Sequence, residues 1–477
     1  MSKITNSFIW SAVDHFSVQA IQFALSILIA RLVAPSAYGI IVMVQVFVSF
    51  AQIFIDSGFK NALIQKQDRK EIDYHTMFIF NIAVAFFFYM VLFFSAPYIA
   101  DFYNVPILTD LTRVVGISMV FSSLSIIQLT RLQINLDFKT QAKARVTSVI
   151  ISGAVGVYCA YHGLEVWALV VQGVAGSFVT TIMLCVYSHW IPRWQFSMES
   201  FKQMATFGSK LLFGNILTSF YIQITNLVIG KVYTSAQLAY YNRAFSLSQL
   251  PSTSISEVIS RTVLPIYCSL QSNPKALLAS YVKYTRMSCI IIFPMLALVG
   301  VLSEPLTVVL LTERWKEMAS LLSIFCLVFS FYPVFLNAGQ VVLAVGYAGL
   351  LAKAVVVKRT IAFVTLIVTL PISVKAVVWG IVFSNFMEMI VSFYCVRKAL
   401  GYSIRNQFTI MADIALAATL SAASAWFATL IFHGDFFKLC MGIFTGLSVY
   451  VVVLYMLKVE ERKYFDQIMA KLTNRSN

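Results

Sequence analysis

Fourteen mainly apolar stretches alternate with short polar breaks along the chain: 8–30, 39–58, 75–96, 112–130, 146–162, 167–188, 211–230, 245–268, 287–304, 318–343, 353–372, 376–396, 408–432 and 437–456. Each approaches the roughly 20 residues that carry a helix across hydrocarbon, which predicts an all-α integral membrane protein with 14 transmembrane helices. Within the apolar background the polar residues are ordered. In the first span Ser11, His15, Gln19, Gln22 and Ser26 recur on one helix face, with Asp14 beside them; in the second, Gln45, Ser49, Gln52 and Asp56 do the same. Side chains of this kind are costly against lipid, so both stripes should face protein or a water-filled cavity. Bonding between packed helices is the plainer use of any single Gln or Ser.

The two spans are joined by Arg31-Leu32-Val33-Ala34-Pro35-Ser36-Ala37-Tyr38-Gly39, and a weaker copy follows six spans later. Ile29-Ala30-Arg31 is matched by Ile229-Gly230-Lys231, Pro35-Ser36-Ala37-Tyr38 by the run from Ser235 to Tyr240, and the polar positions 15, 19 and 26 by Asn215, Ser219 and Asn226. An even number of intervening spans makes the copies run the same way, as in parallel repeats related by an axis along the membrane normal. The expected organisation is therefore two six-helix lobes around a central cavity, 1–188 and 211–400, then two further helices within 401–457 and a charged tail, 458–477. An amphipathic cytoplasmic connector, 189–210, would join the lobes, with Trp190 and Trp194 at headgroup depth.

Composition agrees, with 59% hydrophobic and 12% charged residues and a mean hydropathy of +0.82, outside the range of soluble folds. With the amino terminus placed in the cytoplasm, 26 of the 35 basic residues fall on the inner side and 8 on the outer, while Arg261 lies within a span. That bias puts both termini in the cytoplasm. The net charge of +15 then reports topology and contact with anionic lipid rather than nucleic acid. Seven cysteines stand singly in apolar segments and five histidines are dispersed, so neither disulfides nor a metal centre are expected. No phosphate-binding Gly-x-x-x-x-Gly-Lys-Ser/Thr loop is present, which excludes ATP hydrolysis by this chain, and no cofactor is expected.

Charges and helix breakers inside the spans are the candidate chemistry. Span 8 carries Ser246, Gln249, Thr253, Ser256 and Ser260, with Glu257 and Arg261 one turn apart; Arg261 either pairs with Glu257 or snorkels to the surface. Pro251, Pro294, Pro333 and Pro371 interrupt hydrophobic runs and predict kinks. Glycines 153, 156, 173 and 176 suit close helix packing. Asp14, Asp56, Glu257 and Glu388 are the candidates for ion coupling, because desolvation would favour their neutral forms.

Ile-Ala-Arg-Leu-Val-Ala-Pro-Ser-Ala-Tyr-Gly at 29–39, Asp-Ser-Gly-Phe-Lys-Asn-Ala-Leu-Ile-Gln at 56–65, Ala-Pro-Tyr-Ile-Ala-Asp-Phe-Tyr at 96–103 and Glu-Arg-Trp at 313–315 resemble the polysaccharide transporter, or Wzx-type flippase, branch of the MOP superfamily. The colanic-acid exporter subgroup is the nearest in pattern. The resemblance implies alternating access that moves an undecaprenyl-diphosphate-linked oligosaccharide from the cytoplasmic to the outer leaflet of the bacterial inner membrane, in contact with membrane lipids and other polysaccharide assembly proteins. A diphosphate needs cations, sugars need amides, hydroxyls and aromatic faces, and the polyprenyl tail needs an apolar opening. Arg261, Arg31, Lys210, Gln19, Gln22, Gln52, Asn215, Asn226, Tyr240 and Tyr241 are the candidates for these roles. A multidrug or organic-cation antiporter of the same superfamily and a membrane-embedded glycan polymerase or ligase are the rival readings.

The basic-residue bias predicts that reporter tags at Lys66, Lys139, Gln271 and Gly401 label from the cytoplasm and tags at Asn104, Tyr233 and Gly434 from outside. Cytoplasmic labelling at Asn104 or Gly434 would overturn the fourteen-span map.

Overall fold

A backbone surrounded by lipid has no water to bond its peptide groups, and the helical ladder is the outlet open to a single apolar segment. The computed structural model describes residues 3–56, 59–188 and 190–457, and the side chains of 3–9, 11–13, 15, 56, 59, 207–219 and 261 lie outside it. In chain order its helices are α1 (Lys3–Leu32), α2 (Pro35–Asp56), α3 (Phe59–Gln65), α4 (Glu71–Tyr103), α5 (Leu108–Ile134), α6 (Phe138–Tyr161), α7 (Val166–Ser188), α8 (Met198–Val232) and α9 (Ser235–Ser269). There follow α10 (Pro274–Val301), α11 (Ser303–Leu311), α12 (Met318–Ser330), α13 (Tyr332–Ala344), α14 (Ala348–Thr369), α15 (Val374–Leu400), α16 (Ile404–Ile431) and α17 (Asp435–Met456), with a 3₁₀ turn at Glu313–Trp315.

The breaks are written in the sequence. Asp137, Ser197, Asn273, Ser373 and Ser403 each cap a helix start by accepting a backbone N–H three residues on, which satisfies one of the donors a helix leaves open. Gly401 ends α15 at φ 71°, a left-handed conformation that favours glycine.

Among the described residues ten helices are long and apolar enough to cross a membrane, fewer than the fourteen expected. The shortfall lies in hydropathy and description, not in length, since α1, α8, α9 and α14 run for 30, 35, 35 and 22 residues. Lys353, Lys358 and Arg359 dilute α14, and the Ser, Gln and Thr stripe with Glu257 and Arg261 dilutes α9. The expected tenth span is also broken: α12 stops at Ser330, and Pro333 opens α13, because proline can begin a helix but not donate within one. Pro251 and Pro294 lie inside continuous helices, whereas Pro371 falls beyond the end of α14.

Two compact units divide the chain, Met1–Ala239 and Tyr240–Asn477. In the first, α6 packs on α1 and α7, α5 on α4 and α7, and α8 on α2, α3 and α4. Helices α1 and α6 run in register: Lys139 lies over the Trp10 ring, Gln141 and Arg145 meet Asp14, and a Cβ on Gly153 would stand 2.1 Å from Leu25. Gly156 sits less closely against Gln172, at 2.9 Å by the same measure, whereas Gly173 has open space around it. The two repeated hairpins also touch, since a Cβ on Gly39 would stand 1.7 Å from the carbonyl oxygen of Ser235.

In the second unit α10 is the central helix, packed by α12, α13 and α16. The α16–α17 pair joins this unit: Gly442 and Gly446 admit Leu302 and Leu298, and Tyr450 donates to the Ile290 carbonyl at 2.8 Å.

Candidate functional site

Three carboxylates inside the helices are paired with bases on neighbouring helices. Asp14 on α1 meets Arg145 on α6 at 3.3 Å. Asp413 on α16 takes both terminal nitrogens of Arg286 on α10, at 2.6 and 3.2 Å, while Arg286 also donates to the Ile410 carbonyl. Glu388 on α15 meets Lys358 on α14 at 3.1 Å, and the same ammonium donates to Ser392 at 3.0 Å. At 1.5 Å per residue all six side chains start roughly 10–18 Å from the helix ends assigned to the cytoplasm by the basic residues. One ion pair ties α1 to α6 in the first unit, and two tie α10 to α16 and α14 to α15 in the second. Pairing offsets the cost of a charge in this environment, and removing one partner leaves the other buried alone.

Hydropathy set Arg145 and Arg286 in loops, one residue short of a span, because a base at the edge lowers the window average. The helices begin earlier, at Phe138 and Pro274, so both arginines lie two or more turns inside. Arg261 is therefore not alone as an intrahelical base, and its side chain lies outside the described residues, as do those of Lys210, Asn215 and Asp56. The signal that could have found the pairs is the lone carboxylate: Asp14, Glu388 and Asp413 each needed a basic partner within the membrane.

The other candidates are dispersed. Gln19 and Gln52 are half-buried, Gln22 and Arg31 are exposed, and Asn226 is buried; Gln52 and Asn226 lie on the packed pair α2 and α8. Tyr240 donates to the Arg314 carbonyl at 3.2 Å and meets the edge of Trp315, which is fully buried. The Glu-Arg-Trp motif is thus a plug under a turn. Nearby, the hydrogen bond that the exposed Lys316 donates to the Glu304 carboxylate raises the lysine's pKa. Tyr241 packs on Phe245 and Phe325. Glu257 is exposed, and the structure brings none of these residues to the three ion pairs except Asp14 and Glu388.

Cavities within single units include one of mixed lining, about 190 Å³, to which Gln45, Ser118, Ser122 and Ser177 contribute beside Ile41, Val115 and Leu169, and a mainly apolar one of about 490 Å³ lined by Phe293, Leu296, Leu327, Phe331, Trp379 and Ala415. The segment before α8 is pinned to α4: Trp190 donates to Glu71 at 3.1 Å and stacks on His75, and the backbone N–H of Arg193 donates to His75 Nδ1 at 3.2 Å. Trp190 is therefore buried against α4, while Trp194 is 81% exposed.

Helices of this number, length and pairing define a multi-pass membrane protein of transporter architecture, and the chain superposes on the lipid II flippase MurJ in its inward closed conformation with a TM-score of 0.77. That match covers 96% of this chain and 100% of the other at 14% identity. The chain belongs to the polysaccharide biosynthesis protein family, whose model matches residues 28–320. It is 24% identical to the teichuronic acid biosynthesis protein TuaB of Bacillus subtilis over 72% of this chain and 71% of that one. It is 21% identical to the lipopolysaccharide biosynthesis protein WzxC of Escherichia coli, over 67% of this chain and 65% of that one.

Breaking the Lys358–Glu388 pair should be costly and repairable. Lys358→Met leaves Glu388 unpaired and is expected to destabilise the detergent-solubilised protein by about 3–5 kcal/mol, whereas Lys358→Met with Glu388→Gln should recover most of the loss. Thermal unfolding of both variants checks this, and equal melting temperatures for the parent and Lys358→Met would contradict it.

Proposed function

We propose that this protein translocates a polyprenyl-diphosphate-linked oligosaccharide, the repeat unit of a surface polysaccharide, from the cytoplasmic to the outer leaflet of the bacterial inner membrane. It does so as a transporter, by alternating access, and an ion or proton gradient drives it. One observation carries the reading: a chain with the fold of a lipid II flippase falls in a family of polysaccharide biosynthesis proteins. The fold alone leaves a multidrug antiporter open, and membership of the family favours a glycan cargo.

Several features support it physically. Polar residues spread along α1, α2 and α8 offer amides and hydroxyls to sugars, with Gln19, Gln22, Gln52 and Asn226 as our candidates. Arg31, Lys210 and Arg261 are the proposed cations for the diphosphate, which a guanidinium matches in geometry as well as charge. The apolar cavity beside Trp379 suits an isoprenoid chain. In this reading both termini are cytoplasmic, and the two sequence repeats, 1–188 and 211–400, are the halves that alternate.

Deleting the gene tests this in cells. Lipid-linked oligosaccharide should accumulate on the cytoplasmic leaflet, and the parental gene should restore surface polysaccharide. Delivery to the outer leaflet at the parental rate in the deletion strain would remove the function from this protein.

A further inference from the structure

Asp14 stands apart from the other paired carboxylates. It is 3% exposed, yet one of its oxygens does all the described bonding: Oδ2 accepts from Gln141 Nε2 at 2.8 Å and from Arg145 Nη1 at 3.3 Å. The other, Oδ1, is buried with no partner, and so is Gln141 Oε1. A buried acceptor without a donor costs free energy, and here two belong to side chains that already touch. The partner base is held loosely. Arg145 keeps 43% of its side chain exposed and gives the carboxylate a single contact, unlike the two-pronged grip of Arg286 on Asp413. Most of the Arg145 donor fork therefore remains open to a second anion.

We infer that Asp14, Gln141 and Arg145 form one exchange site that binds a phosphate-type anion on Arg145 and takes up a proton on Asp14 in the same step. The inference deepens the function proposed above, in which the anion is the diphosphate of the lipid-linked cargo. When phosphate oxygens engage Arg145, the Nη1–Oδ2 contact is given up. Asp14 is then a buried carboxylate without its counter-charge, a state that favours the neutral form. A hydronium ion or buffer acid on the cytoplasmic side gives up its proton to Oδ1: its own O–H bond breaks, the Oδ1–H bond forms, and the conjugate base stays in solution. Gln141 Oε1 is the acceptor for the new O–H. The charged groups on the packed helix are Arg145 itself, Lys143, and Lys139 over the Trp10 ring; on α1 the side chains of Lys3 and His15 are outside the described residues. Because the two events are linked, each strengthens the other, and cargo binding carries one proton with it.

The test uses the full chain in nanodiscs and a short-chain probe, citronellyl diphosphate glucose, a diester whose charge is constant between pH 6 and pH 8. Titration calorimetry in two buffers of different ionisation enthalpy should show about one proton taken up per probe bound, with affinity rising about tenfold for each unit of falling pH wherever that uptake is complete. Asp14→Asn should bind with no proton uptake, flat with pH, and more tightly than the parent at pH 8. Arg145→Ala should lose at least tenfold in affinity, and Arg145→Lys should keep part of it. Proton uptake of zero in the parent, which needs no variant to fold, overturns the inference, as does parental affinity in Arg145→Ala. Failure of the parent to bind the probe at all would instead sink the proposed function. Nanodiscs with and without phosphatidylglycerol separate the two sources of phosphate: loss of probe binding in the anionic bilayer assigns Arg145 to lipid headgroups and overturns its role in cargo binding.

Discussion

A charge inside hydrocarbon has no solvent to fall back on, and its partner must come from the protein. Asp14–Arg145, Arg286–Asp413 and Lys358–Glu388 meet that constraint between helices that are distant in sequence, so each pair fixes a helix contact as well as a charge. Apolar packing alone would specify these contacts weakly, since lipid tails are as apolar as leucine. The grips differ in strength. Arg286 is held by both carboxylate oxygens and a backbone carbonyl, Lys358 by a carboxylate and a hydroxyl, and Arg145 by one oxygen. The tightest pair joins α16 to the central helix of its unit, and the loosest leaves the arginine side chain 43% exposed.

Close approach of backbones is the second device. Gly153 lets α1 reach α6 in the register that brings Asp14 to Arg145. Gly39 lets the first hairpin meet the start of the second at Ser235, and Lys231 donates to the Phe102 carbonyl at the end of α4. The motif that repeats in sequence thus meets its own copy in space.

Much of the fold was legible because it rests on periodicity. The helices, the hairpin at 29–39 and the capped starts follow from apolar runs and from Asp, Ser and Asn at the breaks. Span edges were less legible, since hydropathy averages blur a base near a helix start. That blur placed Arg145 and Arg286 in loops and hid two of the three ion pairs. Asp14 and Glu388 were visible as carboxylates in apolar surroundings, but which base reaches them depends on packing between α1 and α6 or α14 and α15, which no local pattern records. The burial of Trp190 was hidden for a similar reason: its contacts with Glu71 and His75 come from a segment more than a hundred residues away.

The central claim is movement of a lipid-linked glycan between leaflets, and purified protein in sealed liposomes tests it most directly. With lipid-linked oligosaccharide in both leaflets, a membrane-impermeant glycosidase reaches about half of it in protein-free vesicles. The account predicts that vesicles containing the protein expose nearly all of it, at a rate that rises when an ion or proton gradient is imposed. Protection that stays at half, with the protein folded and a gradient present, would contradict it.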